Sequence, residues 1–520
     1  MKIYLLSTSD VHGYIAPSNF VDQQSTPFGL ARAKTLIDQF RADHVDDIVL
    51  TIENGDFIQG SPLTNYIAQK RTDYVGLYEK LAKIVGYDAR VLGNHEFNYG
   101  KEYTQSAIPK NAGVLDANVF DRKAHFYADP YKIFDFGAVK IGILGLTTEY
   151  IPHWESASHL MGLTFENPVQ TAEKYVPIMK KAGADVIVVA YHAGFECDLD
   201  TGQATEKITG ENRGYELLQK VSGIDALITG HQHRELAQLV KTPFGSIPIT
   251  QPGYQAAAVG AITLDFDPDS KNIIHRDAKL LFTAKFPADS RIMKSLSTVQ
   301  PELDRFLDEK IGEIDPDMLI HDHFNARLHG HPYLSLVNKV QAEAVNADIS
   351  ANALFSNAVL GLPHEITRRD IATNYLFPNT AVAEEITGQD LLNALERAAE
   401  YFVLNKDGSI SVSDRFGKPI IKHYNYDYFS GIDYTFDLRQ PIGSRVKDVS
   451  YHGQAIKKDQ IYRIALSNYR SSGVGGYGSY SVTKIVQSST VDMVDLLTTY
   501  VSNNSPIQSF LPNNLKIITK

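Results

Sequence analysis

Cysteine is all but absent from this chain of 520 residues. The single Cys197 excludes an intramolecular disulfide and fits a reducing compartment. Long hydrophobic runs are missing as well. The opening "MKIYLLSTSD" has one Lys and a four-residue apolar run, too short for a secretory signal or a membrane span. It reads instead as a first β-strand, and the closing "NNLKIITK" has no anchor tail. The cytoplasm is therefore expected, although an export signal already removed would leave the same trace. Positive charge is in deficit: 50 Lys and Arg against 61 Asp and Glu leave a net charge of −11. That balance argues against a nucleic-acid polymer as partner. A single acidic small molecule remains open if metal ions supply local positive charge.

What is present reads as soluble and globular, with 43% hydrophobic and 21% charged residues. The length exceeds one ordinary core, so two domains are expected. Up to about residue 280, β-rich runs alternate with amphipathic helical stretches. "KIYLLS", "DIVLTI", "ARVLG", "VKIGILGL", "DVIVVAY", "DALITG" and "IPITQ" are the strand candidates. "GLARAKTLIDQFRA", "YVGLYEKLAKIVG" and "NPVQTAEKYVPIMKKAG" have helical periodicity. This alternation predicts an α/β domain over 1–285 with largely parallel, buried strands. A charged, helix-like stretch at 289–314 predicts a connecting helix within 286–318. A second, α+β domain is expected over 319–520, with helices in "YLSLVNKVQAEAVNA" and "TGQDLLNALERAAEYFV" and late strands in "IDYTFDL" and "IYRIALSN". No internal repeat or low-complexity tract interrupts the chain.

Five strand ends in the first domain carry metal-type ligands. "STSDVHG" offers Asp10 and His12, "NGD" offers Asp56, and "GNHEF" offers Asn94 and His95. "VVAYHAG" adds His192, and "ITGHQHREL" adds His231 and His233. Loops at the carboxyl ends of strands gather on one edge of an α/β sheet, so these residues can meet. In extended backbone, residues two apart point the same way, which would let Asp10 pair with His12 and His231 with His233. The donors are oxygen and nitrogen without a second thiolate, so Cys197 is expected to stay a free thiol.

Together these elements resemble the calcineurin-like metallophosphoesterases, and with the second domain the chain resembles the 5′-nucleotidase family over nearly its whole length. The resemblance implies an α/β metal domain joined by a helix to a substrate-binding domain. It implies two divalent ions, one held by Asp10, His12, Asp56 and His233. The other is held by Asp56, Asn94, His192 and His231, with Asp56 bridging. Mixed His, Asp and Asn ligation suits Mn, Fe, Co or Zn better than Mg or Ca. Two such ions about 4 Å apart can activate water and neutralise charge growing on a phosphoryl group. His95 is then a catalytic group beside the metals, and Tyr426 and Tyr469 fall where the family places an aromatic clamp on the nucleobase.

Within the family, "ENGDFIQGSPL", "GNHEFNYG", "AEKYVPIMKKAGADVIVVAYH", "YLFPNT" and "YNYDYFSGIDY" resemble the branch acting on 2′,3′-cyclic nucleotides and 3′-nucleotides. The 5′-nucleotidases typically carry Asp where this chain has Asn98, and an Asp in the base loop that here reads "GVGG". Asn98 can orient His95 without adding charge, so His95 is expected to act chiefly as a hydrogen-bond donor to the phosphoryl oxygens. A 5′-nucleotidase, a nucleotide-sugar or dinucleotide phosphohydrolase and a non-catalytic nucleotide-binding protein remain as alternatives. The sequence does not fix the oligomeric state.

Overall fold

A computed structural model describes residues 1–520 except 23, 111, 123, 127, 206, 207, 376, 378, 419 and 420. Leu376 and Pro378 of the "YLFPNT" motif thus lie outside the described residues. The chain divides into two compact units, Met1–Leu303 and Asp304–Lys520.

The first unit is built on two six-stranded sheets. In one, Lys2–Thr8, Ile48–Glu53, Ala89–Val91 and Val114–Leu115 run parallel. Ala258–Asp267 and Asn272–Phe282 extend it antiparallel beside the first strand. In the other, Lys140–Thr147, Val186–His192, Ala226–Ile228 and Gly245–Pro252 are parallel. Tyr131–Asp135 and Glu235–Thr242 form its antiparallel edges.

The sheets pack face to face. Ile3, Leu5, Leu50, Ile52 and Val91 of the first share one buried cluster with Ile141, Ile143, Val186, Val188 and Ile228 of the second. The strand Val186–His192 is buried at every position, which is why Val186 to Tyr191 form an unbroken apolar run rather than an alternation. Its outer face, with Ile187 and Val189, meets Ala172, Val176 and Met179 of helix Pro168–Lys181. Asn167 starts that helix by accepting from the Val169 and Gln170 N–H groups, with Pro168 at its first position.

The stretch expected as one connecting helix is more broken. It holds helices Ser290–Leu296 and Val299–Leu307, and then "KIGEID" becomes the strand Lys310–Asp315. That strand pairs antiparallel with Glu365–Thr367 and parallel with Ile507–Gln508, neighbours far along the chain. Non-local pairing overrides the local helical reading.

The second unit centres on a five-stranded sheet in the order Asp427–Ser430, Ile349–Ala353, Ile461–Ser467, Thr380–Thr387, Ile485–Asp492. Helix Pro332–Ala344 buries Leu336, Val337 and Val340 in the core of this sheet. Among the described residues, no helix is long and apolar enough to cross a membrane.

The contact between the two sheets predicts its own test. Ile143→Ala removes a fully buried side chain from between them and should destabilise by about 2–5 kcal/mol. Chemical denaturation of the purified variant measures this, and a loss below about 1 kcal/mol would contradict close packing there.

Candidate metal centre

All seven proposed ligands leave the carboxyl ends of parallel strands, with both sheets contributing. Asp10 and His12 follow Lys2–Thr8, Asp56 follows Ile48–Glu53, and Asn94 follows Ala89–Val91. His192 ends its strand in the second sheet, and His231 and His233 follow Ala226–Ile228. Three donor groups converge there: Asp10 with His12 and His233, His12 with Asp56 and His95, and Asp56 with His192 and His231. Each group's ligand atoms lie within 4.8 Å of one another.

The backbone does this differently from the extended segments expected. Asp10, His12, Asp56, His231 and His233 all have φ between 51° and 68°, in the left-handed region. For residues other than glycine that conformation costs on the order of 1–3 kcal/mol each, and it clusters where function demands it. The tight turns separate His231 from His233, which join different donor groups instead of chelating as a pair. Close backbone approach adds a second constraint. A methyl group on Gly93 would sit 2.2 Å from Asp56 Oδ1, so only glycine lets the two loops touch.

The donor set fits divalent cations. The Nε2 atoms of His12 and His233 face each other at 2.9 Å, with His233 Nε2 3.5 Å from Asp10 Oδ1. Asn94 Oδ1 lies 3.2 Å from His192 Nε2 and 2.8 Å from His231 Nδ1. Asp56 Oδ2 is buried and lies 3.1 Å from His192 Nε2, without the alignment of a hydrogen bond. Such a buried carboxylate oxygen, facing imidazoles from two sides without a full complement of partners, suits a metal ligand.

The rings are held from behind. His12 Nδ1 bonds the Gln59 carbonyl at 2.9 Å and His192 Nδ1 the Asn54 carbonyl at 2.6 Å, leaving both Nε2 atoms toward the cluster. His231 turns Nε2 to Glu211 at 2.8 Å and offers Nδ1 inward. Trp154 stacks on His231, and Tyr254 on His233.

Glu96 does more than its place in the motif suggests. Its Oε2 accepts from the N–H groups of Gly93 and Asp56, at 2.6 and 2.8 Å. Its Oε1 accepts from Phe57 at 2.7 Å and Ile58 at 3.3 Å. One buried carboxylate therefore gathers four backbone donors from the loops that present Asp56 and Asn94. Sequence reading gave Glu96, Glu211 and Trp154 no role, because none stands among the candidate ligands. Only Glu96 stands inside a quoted motif.

Charge follows the same geometry. Burial would raise the Asp56 carboxyl, but the facing His192 and His95 rings outweigh it and hold it well below the usual range. Burial would lower His192, yet Asp56 pushes its pKa up to about 10. Burial takes His12 down to about 4.

His95 lies half-buried at the edge of the cluster, its backbone N–H donating to Asp56 Oδ1 at 2.8 Å. Its Nδ1 meets Asn98 Oδ1 at 2.6 Å. An amide oxygen only accepts, so Nδ1 carries the hydrogen. A neutral His95 then has a bare Nε2, and it donates toward a phosphoryl oxygen only in its protonated form. Cys197 is half-buried and in none of the donor groups.

In the second unit the two tyrosines fare differently. Tyr426 is 1% exposed, packs against Tyr401 and Phe402, and gives its hydroxyl to the Arg327 carbonyl. It has no face for a base in this structure, so its part in an aromatic clamp is corrected to that of a core residue. Tyr469 is 37% exposed, as is Tyr424 two residues before Tyr426. Arg470 ties these segments together by donating to the Tyr424 carbonyl at 2.6 Å. It also pairs with Asp427 and donates to the Val474 carbonyl of the Gly-rich loop.

Comparison with known proteins agrees with this arrangement. Residues 3–235 match the family model for calcineurin-like phosphoesterases, and residues 310–482 match that for the C-terminal domain of 5′-nucleotidases. A Staphylococcus aureus protein classed with the 5′-nucleotidases, solved with α-ketoglutarate, is 36% identical with a TM-score of 0.89. That likeness covers 99% of this chain and 100% of the other. The 2′,3′-cyclic-nucleotide 2′-phosphodiesterase/3′-nucleotidase of Salmonella typhimurium is 28% identical over 91% of this chain and 82% of its own. The trifunctional nucleotide phosphoesterase of Bacillus subtilis is 27% identical over 99% of this chain. This chain spans only 39% of that protein. Fold and site define a metal-dependent phosphoester hydrolase. The chain belongs to the 5′-nucleotidase family of calcineurin-like metallophosphoesterases.

Two tests follow from the site. Glu96→Gln replaces an acceptor-only group by one that turns an N–H toward backbone N–H groups, so the loops should separate. Metal affinity should fall about 10- to 100-fold while the fold survives, measured by calorimetric titration with Mn. Unchanged affinity would remove Glu96 from the centre.

The second test concerns protons. A metal that takes His192 Nε2 must displace the proton held there below pH about 10. Because protonation favours the metal-free state, apparent affinity should rise with pH, roughly tenfold per unit between pH 7 and 9. Titrations in buffers of different ionisation enthalpy should count about one proton released. A flat profile would contradict displacement of a proton from His192 on metal binding.

Proposed function

We propose that the protein opens 2′,3′-cyclic nucleotides to 3′-nucleotides and then, more slowly, removes the 3′-phosphate. The converging donor groups carry the hydrolytic half of this reading. The "GNHEFNYG" and "GVGG" departures, with the likeness to the Salmonella enzyme, support the choice of substrate. In this reading Asp10, His12, Asp56 and His233 hold one divalent ion, and Asp56, Asn94, His192 and His231 the other. Mn, Fe, Co and Zn all suit the donors. Bound ions supply Lewis acidity toward the phosphoryl oxygens and an activated water.

The chain's own groups do the rest. In hydrolysis, water oxygen joins phosphorus, the bond to the 2′-oxygen breaks, and that oxygen takes up a proton. His95, held by Asn98, aims Nε2 for that proton transfer or for a hydrogen bond to the phosphoryl group. The base rests on exposed aromatic faces of the second unit, for which Tyr469 and Tyr424 replace the pair Tyr469 and Tyr426. Domain limits of 1–285 and 319–520, with a linker at 286–318, belong to the same proposal.

Removal of a 5′-phosphate is the second reading, favoured by the Staphylococcus protein's classification. A panel of 2′,3′-cyclic, 3′- and 5′-nucleotides with product identification separates them. The cyclic compounds should turn over best, chelation should abolish turnover, and Mn should restore it. Asp56→Ala should be inactive on every substrate. Tyr469→Ala and Tyr424→Ala should lose about 10- to 100-fold in kcat/KM on nucleotides but spare p-nitrophenyl phosphate. Preference for 5′-monophosphates would reverse the assignment, and a folded, active Asp56→Ala would end the metal reading.

A further inference from the structure

Asn98 is an unusual partner for a working histidine because its two ends are chemically different. A carboxylate presents an acceptor whichever way it turns. An amide can present either oxygen or NH2, and the two choices give His95 opposite tautomers. With the oxygen toward the ring, Nδ1 carries the hydrogen and keeps this bond whether or not Nε2 holds the proton that it passes to the leaving oxygen. With the nitrogen toward the ring, the neutral ring must carry its hydrogen on Nε2. Nothing in the pair His95–Asn98 itself selects between these.

The selection comes from a residue 57 positions further along. Asn98 Nδ2 donates to Glu155 Oε2. The Glu155 side chain is 9% exposed, and its other oxygen is fixed by the Ser156 N–H at 2.7 Å and His159 Nδ1 at 2.8 Å. An ionised carboxylate has no hydrogen to give, so it accepts only the NH2 end of Asn98 and leaves the oxygen for His95. Trp154, the preceding residue, stacks on His231 with ring centroids 5.4 Å apart. One segment, entered by the short helix Ile151–His153, therefore bears on both rings.

We propose that Glu155 is a positioning residue that locks the amide of Asn98 and, through it, the Nδ1–H tautomer of His95. This rests on the catalytic reading of His95 given above. Glu155 acts through the Asn98 amide and not on the His95 ring itself. Its effect passes through one amide, and that gives it a signature that a merely structural carboxylate lacks. With Asn98 in place, removing the charge of Glu155 frees the amide to turn. With Asp at position 98, no amide needs locking, and Glu155 becomes a second carboxylate facing the first.

Glu155→Gln should therefore lower kcat on a 2′,3′-cyclic nucleotide about tenfold with KM little changed. In an Asn98→Asp background the same substitution should raise kcat. Glu155→Ala provides a second variant with the same two signs. Histidine-selective 15N NMR of the metal-free protein reads the tautomer directly, with His95 assigned by the signals lost in His95→Gln. The native protein should show Nδ1–H, and Glu155→Gln should admit the Nε2–H form. Equal losses in both backgrounds, or a tautomer unmoved by Glu155→Gln, overturn the proposal. A tautomer that moves while turnover holds upholds the positioning role and removes His95 from catalysis instead.

Discussion

The carboxylate of Glu96 is the contact on which the metal-binding edge depends. Four backbone N–H groups from two loops end on its two oxygens, and the loops carry Asp56 and Asn94. Those N–H groups have no ladder partner at a strand end, and leaving them unpaired in a buried place would cost about 1–3 kcal/mol each. Burial and the nearby Asp56 charge raise the Glu96 carboxyl, against the pull of the Phe57 and Asp56 N–H groups. That tension is tolerated because the geometry it secures is demanding. Five candidate ligand residues sit in left-handed backbone, and Gly93 lies against Asp56 with no room for a side chain. Strain of this kind persists only where surrounding contacts over-determine it.

A related device shapes the second unit. Arg470 is buried beside Asp427, lies over the Tyr477 ring at 4.4 Å, and reaches the carbonyls of Tyr424 and Val474. Arg397 adds a bond to the Gly475 carbonyl at 2.8 Å. The Gly-rich "SSGVGG" thus becomes a loop pinned by two guanidinium groups rather than a loose turn. In each unit a buried charge organises irregular backbone, because hydrogen bonds to a charged group are stronger and less forgiving of displacement than neutral ones.

Much of the first unit was legible because burial leaves a one-dimensional trace. "VIVVAY" is apolar since both its faces are covered, and helix Pro168–Lys181 announces itself by Asn167, Pro168 and its apolar spacing. Periodicity failed at Lys310–Asp315, where pairing with Glu365–Thr367 and Ile507–Gln508 made a strand of a helix-like stretch. The family resemblance carried the metallophosphoesterase and nucleotidase assignments, and the matched family models agree with it. Tyr426 was misjudged because a motif position says nothing of exposure; its ring fills a core that Tyr401 and Phe402 complete.

The sequence by itself determined the kind of ligand atoms, their place after apolar strands and the acidic balance of the chain. Those follow from residue type and local period, which are written in order along the chain. Only the tertiary structure decided that His231 and His233 part company, that Glu96 binds two loops, and that Glu155 reaches Asn98 from 57 positions away. Each of these depends on side-chain direction across contacts between distant segments. Linear spacing holds no record of direction, because the turn that sets it is itself fixed by what packs around it.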